Sequence, residues 1–366
     1  MVLVPSNNPK MFVILASDTE DNHPNYVPGW WRYGSDYDAD PPKLRFDWLR
    51  YMDNLLSCLD QGGLRFKVTW FLRTDPAVGE RCLDALTLLM DKVRDYDDEL
   101  GIHIHTLRRD AQSRWVQSLD QNVCRSVVSD SLEIFKSHMG KLPNSARMGW
   151  NYMSNSVMQR LEADGVRYDA TCIPGMQSQL MYGQRDNFYD WSRAPTSPFH
   201  PSYEDYQAAG KMKILEIPLT SYVKEPGTKS GNVFPKWMRA VARVRRLTNV
   251  GATMTEFPFL ASKRSLMLRN QFLIFSAWRN NTGMSNLLAS KVQEARSRGW
   301  AYILGYFHPC EMMNPLSGKL NSAFLENFAA SLNEIATIRK HGVDLVPVTI
   351  SEFGSACLEL KWISEA

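Results

Sequence analysis

Met11-Phe-Val-Ile-Leu-Ala16, followed at once by Ser17-Asp-Thr-Glu-Asp-Asn22, is the stretch on which the fold turns. Six apolar residues with β-branched members make a strand buried on both faces, the kind found in parallel sheets covered by helices. The strand ends abruptly in acids, so groups able to do chemistry stand at a strand C-terminus. Asp18 and Glu20 are two apart, so in extended backbone both side chains leave the same face. Two carboxylates aimed at one point repel unless a cation or a shared proton lies between them.

Working outward, strand and helix patterns alternate. Phe46–Leu59 has helical spacing and ends at Gly62-Gly63, Phe66–Leu72 is a buried strand, Arg81–Val93 a helix, and Leu100–His105 a strand. A helix over Val123–His138, a short segment at Ala146–Met148, a helix over Asn155–Ala163 and strands at Tyr168–Ala170 and Lys213–Ile217 follow. The C-terminal part reads helix Ser285–Arg298, strand Ala301–Phe307, helix Ser322–Lys340, strand Val343–Val346 and a last helix from Ser351. Strands separated by helices pair in parallel, and there are enough to close or nearly close a barrel. The predicted class is α/β, a (β/α) barrel of about seven parallel strands, with residues 1–366 as one domain and its core over about 11–353. In such barrels active residues collect at the C-terminal ends of strands.

The other polar residues that stand out fall at such ends. His103 and His105 repeat the i, i+2 spacing on a strand whose other positions are Leu100, Ile102 and Ile104, and two imidazoles on one strand face suit metal coordination. Tyr306-Phe307-His308-Pro309 ends an apolar strand in a histidine placed to protonate a leaving group. In Ser145-Ala-Arg-Met-Gly-Trp150, Arg147 offers a fork of donors for a carboxylate, and Trp150 a wall for a sugar ring. The irregular run Asp21–Lys43 carries Trp30 and Trp31 as a further wall. His23 is a candidate extra ligand, and the aromatic, proline-stiffened loop Trp191–Tyr206 places His200 as a substrate contact.

Together these segments resemble the polysaccharide deacetylase superfamily, metal-dependent enzymes on a distorted (β/α) barrel that remove acetyl groups from carbohydrates. The resemblance runs from about residue 11 to 353. The family's first motif is an acidic pair after an apolar strand, and SDTED resembles the subset with one residue between the acids. It implies Asp18 as general base and Glu20 as metal ligand. Thr69-Trp70-Phe71 resembles the next strand, and Glu99-Leu100-Gly101-Ile102-His103 reproduces the lead-in to the histidine motif. The family's second histidine stands four residues after the first, where this chain has Leu107; only His105 is available nearby, so the metal is held either by the i, i+2 pair or weakly. Arg147-Met-Gly-Trp150 resembles the arginine motif, Gly165-Val-Arg-Tyr-Asp169 the strand with a buried Asp, which puts Asp169 among the substrate-site residues, and Tyr306-Phe-His-Pro309 the motif with the catalytic histidine. The expected function is metal-dependent removal of an N-acetyl group from an acetamido sugar or glycan. Glu20, His103 and His105 would hold one divalent ion, zinc first, with cobalt, nickel or manganese as alternatives. The alternatives are hydrolysis of another C–N or ester bond on a small molecule, and a non-catalytic carbohydrate-binding relative, for which Leu107 speaks.

Composition bounds the partners. The 366-residue chain is 44% hydrophobic and 22% charged, and its net charge of +3 from 42 basic and 39 acidic residues argues against nucleic acid. The exception is local, the acid-free basic stretch Lys236–Arg246, read as a basic helix face or an anionic contact. The six cysteines are widely spaced with no C-x-x-C pair, which favours free thiols. No apolar run is long enough to span a membrane, and MVLVPSNNPK lacks a signal peptide's pattern, so a cytoplasmic setting is expected.

Overall fold

The computed structural model describes residues 8–21, 43–177, 189–223, 270–272, 283–313 and 318–364. Trp30, Trp31, His23 and the basic stretch 236–246 lie outside the described residues.

The apolar run becomes β1 (Lys10–Thr19), buried at every position after Lys10. That burial follows from its place in the sheet. Over all but its last two residues β1 pairs in parallel with β7 (Trp300–Phe307), from Lys10 opposite Trp300 to Ser17 opposite Phe307. On its other side the first half pairs with β8 (Asp344–Pro347) and the second half with β2 (Val68–Arg73). The wall continues through β3 (Glu99–Ile104), β4 (Ser145–Met148), β5 (Tyr168–Asp169) and β6 (Leu215–Glu216), all in parallel. The order is β6-β5-β4-β3-β2-β1-β7, with β8 as an eighth strand on β1.

The two ends of this path are stitched by one residue beyond β6. The Thr220 N–H donates to the Leu304 carbonyl at 2.9 Å, and the Leu304 N–H donates to Thr220 Oγ1, also at 2.9 Å. The Tyr302 hydroxyl donates to the Pro218 carbonyl at 3.0 Å beside this seam. Among the described residues this edge is joined by isolated bonds and not by a strand ladder, which makes the barrel a distorted one, as expected from the sequence.

The helices are α1 (Met52–Cys58), α2 (Gly79–Ala85), α3 (Thr87–Val93), α4 (Gln121–Met139), α5 (Asn155–Ala163), α6 (Gly283–Arg298), α7 (Ser322–Ala336) and α8 (Ile350–Glu359). They cover the outside of the wall. In α4, Cys124, Val127, Val128, Ser131, Leu132 and Phe135 are buried, a stripe at helical spacing. Asp120 caps its start by accepting from the Asn122 and Val123 N–H groups, and Gly140 in the left-handed region (φ 69°) ends it. No helix of the described residues is long and apolar enough to cross a membrane.

Three helices predicted as continuous are interrupted. Phe46–Leu59 starts as a 3₁₀ turn over Asp47–Tyr51, Arg81–Val93 breaks at Leu86, and Ser322–Lys340 turns 3₁₀ at Thr337. At the latter two a threonine hydroxyl takes a carbonyl: Thr87 Oγ1 donates to Asp84 O at 2.9 Å and Thr337 Oγ1 to Glu334 O at 2.6 Å. Such side-chain bonds compete with the helical ladder. A hairpin that the sequence pattern did not reveal, Leu107–Arg109 with Trp115–Gln117, projects after β3.

Candidate active site

Parallel register decides which side chains share a face. Asp18 stands opposite Phe71, Arg73 opposite His103, and His103 opposite Arg147, so the C-terminal ends of β1 to β4 bring their polar residues into one row. The next position on β7 is His308, directly after the strand. Asp18, Glu20, His103, His105, Arg147 and His308 are thereby brought together. All are buried except His308, whose side chain keeps 22% exposure.

Two groups form within this cluster. In the first, Glu20 Oε1 lies 3.0 Å from His103 Nε2 and 3.3 Å from His105 Nε2, and the two Nε2 atoms are 3.1 Å apart. This triangle can be tested against a metal. Donors about 2.0–2.2 Å from a tetrahedral centre stand roughly 3.3–3.6 Å from one another, a few tenths more than observed. The residue types fit as well, since a carboxylate and two imidazoles are the ligands of many catalytic zinc sites. Burial pushes the His105 pKa down to about 4, against the opposing pull of Glu20, so its ring is neutral at neutral pH, the form that can coordinate a cation. The residues present fit a single divalent cation.

His105 is held by its neighbours. Its ring meets the Trp150 ring edge-on at 4.8 Å, and a Cβ on Gly149 would lie 2.4 Å from three of its ring atoms. Trp150 and Asn151 both adopt left-handed backbone (φ 52° and 55°), a strained pair of non-glycine residues of the kind that collects at functional sites. Trp150 therefore acts first as the flank of His105.

Leu107, at the position of the family's second histidine, is turned away. Its N–H donates to the His105 carbonyl at 2.8 Å, ending the extended run, and its side chain is buried in a small cluster with Val78 and Cys82.

In the second group, Arg147 Nε donates to Asp18 Oδ1 at 2.7 Å, Nη1 donates to the Ala170 carbonyl at 2.5 Å, and Nη2 donates to Asn151 Oδ1 at 3.3 Å. The guanidinium also lies 4.6 Å from the Tyr306 ring centre. Burial alone would raise the Asp18 pKa, but Arg147, His103 and His308 together bring it below the usual carboxylate value. His308 Nε2 is 3.7 Å from Asp18 Oδ2, and its Nδ1 is 3.3 Å from Glu311 Oε1. Burial would lower the His308 pKa, yet the bond and charge of Glu311, then Asp18 and Glu20, raise it to about 9. Asp18 is thus an anion and His308 a cation at neutral pH.

Two expected substrate contacts are placed elsewhere. Asp169 has no exposed surface, and its oxygens accept from Thr171 Oγ1 at 2.8 Å and Thr171 N at 3.2 Å. It pairs in register with Glu216, whose pKa burial and Asp169 push well up, so the two form an internal acid pair in the wall. His200 Nδ1 lies 3.0 Å from the Ile214 carbonyl at the N-terminal end of β6, whereas the site stands at C-terminal strand ends.

Residues that sequence reasoning passed over are Arg73, Gly149, Asn151 and Glu311. Glu311 was legible in principle, since an acid three residues after a strand-end histidine can grip its far nitrogen. Arg73 gave only the signal of a charge at the end of an apolar strand.

The strand ends thus carry a carboxylate–histidine group that could hold a metal ion beside an ion-paired Asp18 and Arg147. No family model matches the chain. It is 24% identical over 174 residues to a peptidoglycan deacetylase-like protein of Gibberella zeae, covering 47% of this chain and 46% of that protein. The chain thus matches less than half the length of this relative. Among solved structures, a polysaccharide deacetylase-type protein of Mycobacterium smegmatis aligns over 99% of this chain and 95% of its own at 14% identity and TM-score 0.45. Puue allantoinase aligns over 96% and 92% at 10% identity and TM-score 0.49. At such scores the strand pairing, and not the likeness, defines the fold. The similarities thus include a deacetylase-like protein and a polysaccharide deacetylase-type structure as well as an allantoinase.

Proposed function

We propose that the protein is a metal-dependent hydrolase that removes the N-acetyl group of an acetamido sugar or glycan. The observation that carries this reading is the 3.0–3.3 Å triangle of Glu20 Oε1, His103 Nε2 and His105 Nε2 beside the Asp18–Arg147 ion pair. Bound there, a divalent cation would supply the acidity of an attacking water and polarise the amide carbonyl.

The chain's own residues do the rest. Arg147 occupies Asp18 Oδ1, which keeps Asp18 ionised and leaves Oδ2, on the side of His308, as the base that takes the water's proton. At 3.7 Å, Asp18 Oδ2 and His308 Nε2 are too far apart for a hydrogen bond, so each can address a substrate atom between them. Glu311 grips Nδ1 of the cationic His308, which leaves the Nε2 proton, on the side of Asp18, for the departing nitrogen. Base and acid are in the right charge states before substrate arrives. The reading places the whole of residues 1–366 in one domain around this site.

The test is acetate release from a panel of N-acetylated hexosamines and their oligomers, by zinc-loaded and chelated protein. Release by the loaded form alone is the expected result. No release from any member, with zinc bound in equimolar amount, refutes deacetylation.

A further inference from the structure

Arg73 grows from β2, the strand between β1, which Glu20 directly follows, and β3, which carries His103, and it is fully buried. Its Nε donates to Asp75 Oδ2 at 2.7 Å, while Nη1 lies 3.4 Å from Glu20 Oε2 and 3.7 Å from Asp21 Oδ1. Glu20 is therefore divided: Oε1 faces the two imidazoles and Oε2 faces the guanidinium. A buried cation is costly, and its placement beside a proposed cation site would by plain repulsion weaken metal binding. Something must offset that. The geometry points to Arg73 as a positioning residue for the metal site. It presents Glu20 to the ion through one oxygen and keeps Asp21 out of the ligand set. This rests on the metal-dependent reading above and adds a basis for ion choice. A carboxylate limited to one oxygen beside two imidazoles suits zinc-type ions, whereas calcium-type ions take several oxygens and often both from one carboxylate.

Arg73→Lys separates the two roles, because lysine keeps the charge but cannot bond Asp75 and Glu20 through one rigid fork. Zinc and calcium affinities are measured by chelator competition on wild type and variant, with the metal-free melting temperature read in the same samples. The expected result is zinc binding weakened by about 10–100-fold, the range for residues that orient ligands, and a smaller preference of zinc over calcium. Asp75→Asn, which removes the anchor of Nε and leaves the guanidinium, shifts both quantities in the same direction and decides alone if Arg73→Lys does not fold. Zinc affinity and preference within about twofold of wild type in a folded variant would overturn the assignment. Wild-type protein that binds no zinc would instead overturn the metal-dependent reading itself, and this inference with it.

Discussion

Gly149→Ala is the sharpest probe of the site, because it adds one methyl group and removes no polar atom. The new Cβ would stand 2.4 Å from Nδ1, Cε1 and Cδ2 of His105. Non-bonded carbon contacts settle at about 3.5–4.0 Å, so the ring has to withdraw by roughly 1 Å. Metal–ligand distances tolerate about 0.2 Å, so His105 leaves the ligand set. Gly149 is not among the residues with positive φ, so alanine fits the backbone and the clash is the whole perturbation. Overpacking of this kind costs about 1–3 kcal/mol of stability, which a domain of this size survives. Zinc affinity should fall by at least about 10–100-fold, equivalent to roughly 1.4–2.7 kcal/mol. Chelator competition on Gly149→Ala, His105→Ala and the double variant gives a thermodynamic cycle. If the methyl acts only by displacing His105, the double variant loses no more than His105→Ala alone. A folded Gly149→Ala protein with wild-type zinc affinity would refute His105 as a ligand.

The roles given to Asp18 and His308 predict that Asp18→Asn and His308→Ala each lower acetate release by about 10²–10⁴-fold while zinc stays bound, and near-normal turnover in both would remove them from the mechanism. In metal-free protein the His308 ring should titrate near pH 9 by NMR. Glu311→Gln should move that midpoint down toward the ordinary value of about 6.5, and an unmoved midpoint would remove Glu311 as its cause. The two histidines also give stability opposite pH dependences. His105, with its folded pKa depressed to about 4, contributes stability that is present above about 6.5 and is lost as pH falls toward 4, a loss of up to about 3 kcal/mol. His308, with its pKa raised to about 9, contributes stability that is present below about 6.5 and is lost as pH rises through 9. The melting temperature of metal-free protein should therefore peak near pH 6.5, and His105→Ala should flatten the acid side. An acid side unchanged by that substitution would show that another group sets it.

Much of this site was readable from the chain because a parallel strand is a ruler. The i, i+2 spacings of Asp18 with Glu20 and of His103 with His105 give one face each, and strand C-terminal ends give the place. The lead-in Glu99-Leu-Gly101 was legible for a structural reason. A Cβ on Gly101 would meet Ser145 Oγ at 2.6 Å and the Phe71 ring at 2.7 Å. Glu99 accepts from Ser145 Oγ at 2.7 Å and from the Ser351 N–H at 2.9 Å, tying β3 to β4 and to the start of α8. Asp169 and His200 misled because type and order say nothing of depth. Asp169 lies inside the wall beside Glu216, and His200 lies at the entry end of a strand. Helix breaks at Leu86 and Thr337 depend on a single hydroxyl choosing a carbonyl, a choice that periodicity does not record.

The departure at Leu107 has a physical resolution that spacing alone hid. A second histidine four residues after the first needs the backbone to stay near the site that long, but here the chain turns at once, with the Leu107 N–H bonded to the His105 carbonyl and its side chain packed away with Val78 and Cys82. The strand therefore has to deliver both imidazoles from adjacent same-face positions, His103 and His105, within 3.1 Å of each other. Two rings so close need an outer wall to hold the second one in, and Gly149 with the strained Trp150 and Asn151 supplies it. The motif Arg147-Met-Gly-Trp150 thus serves both halves of the site, with its arginine ionising Asp18 and its glycine and tryptophan confining His105. That double duty is why a change at Gly149, which acts through the His105 ring, should act as a change of ligand.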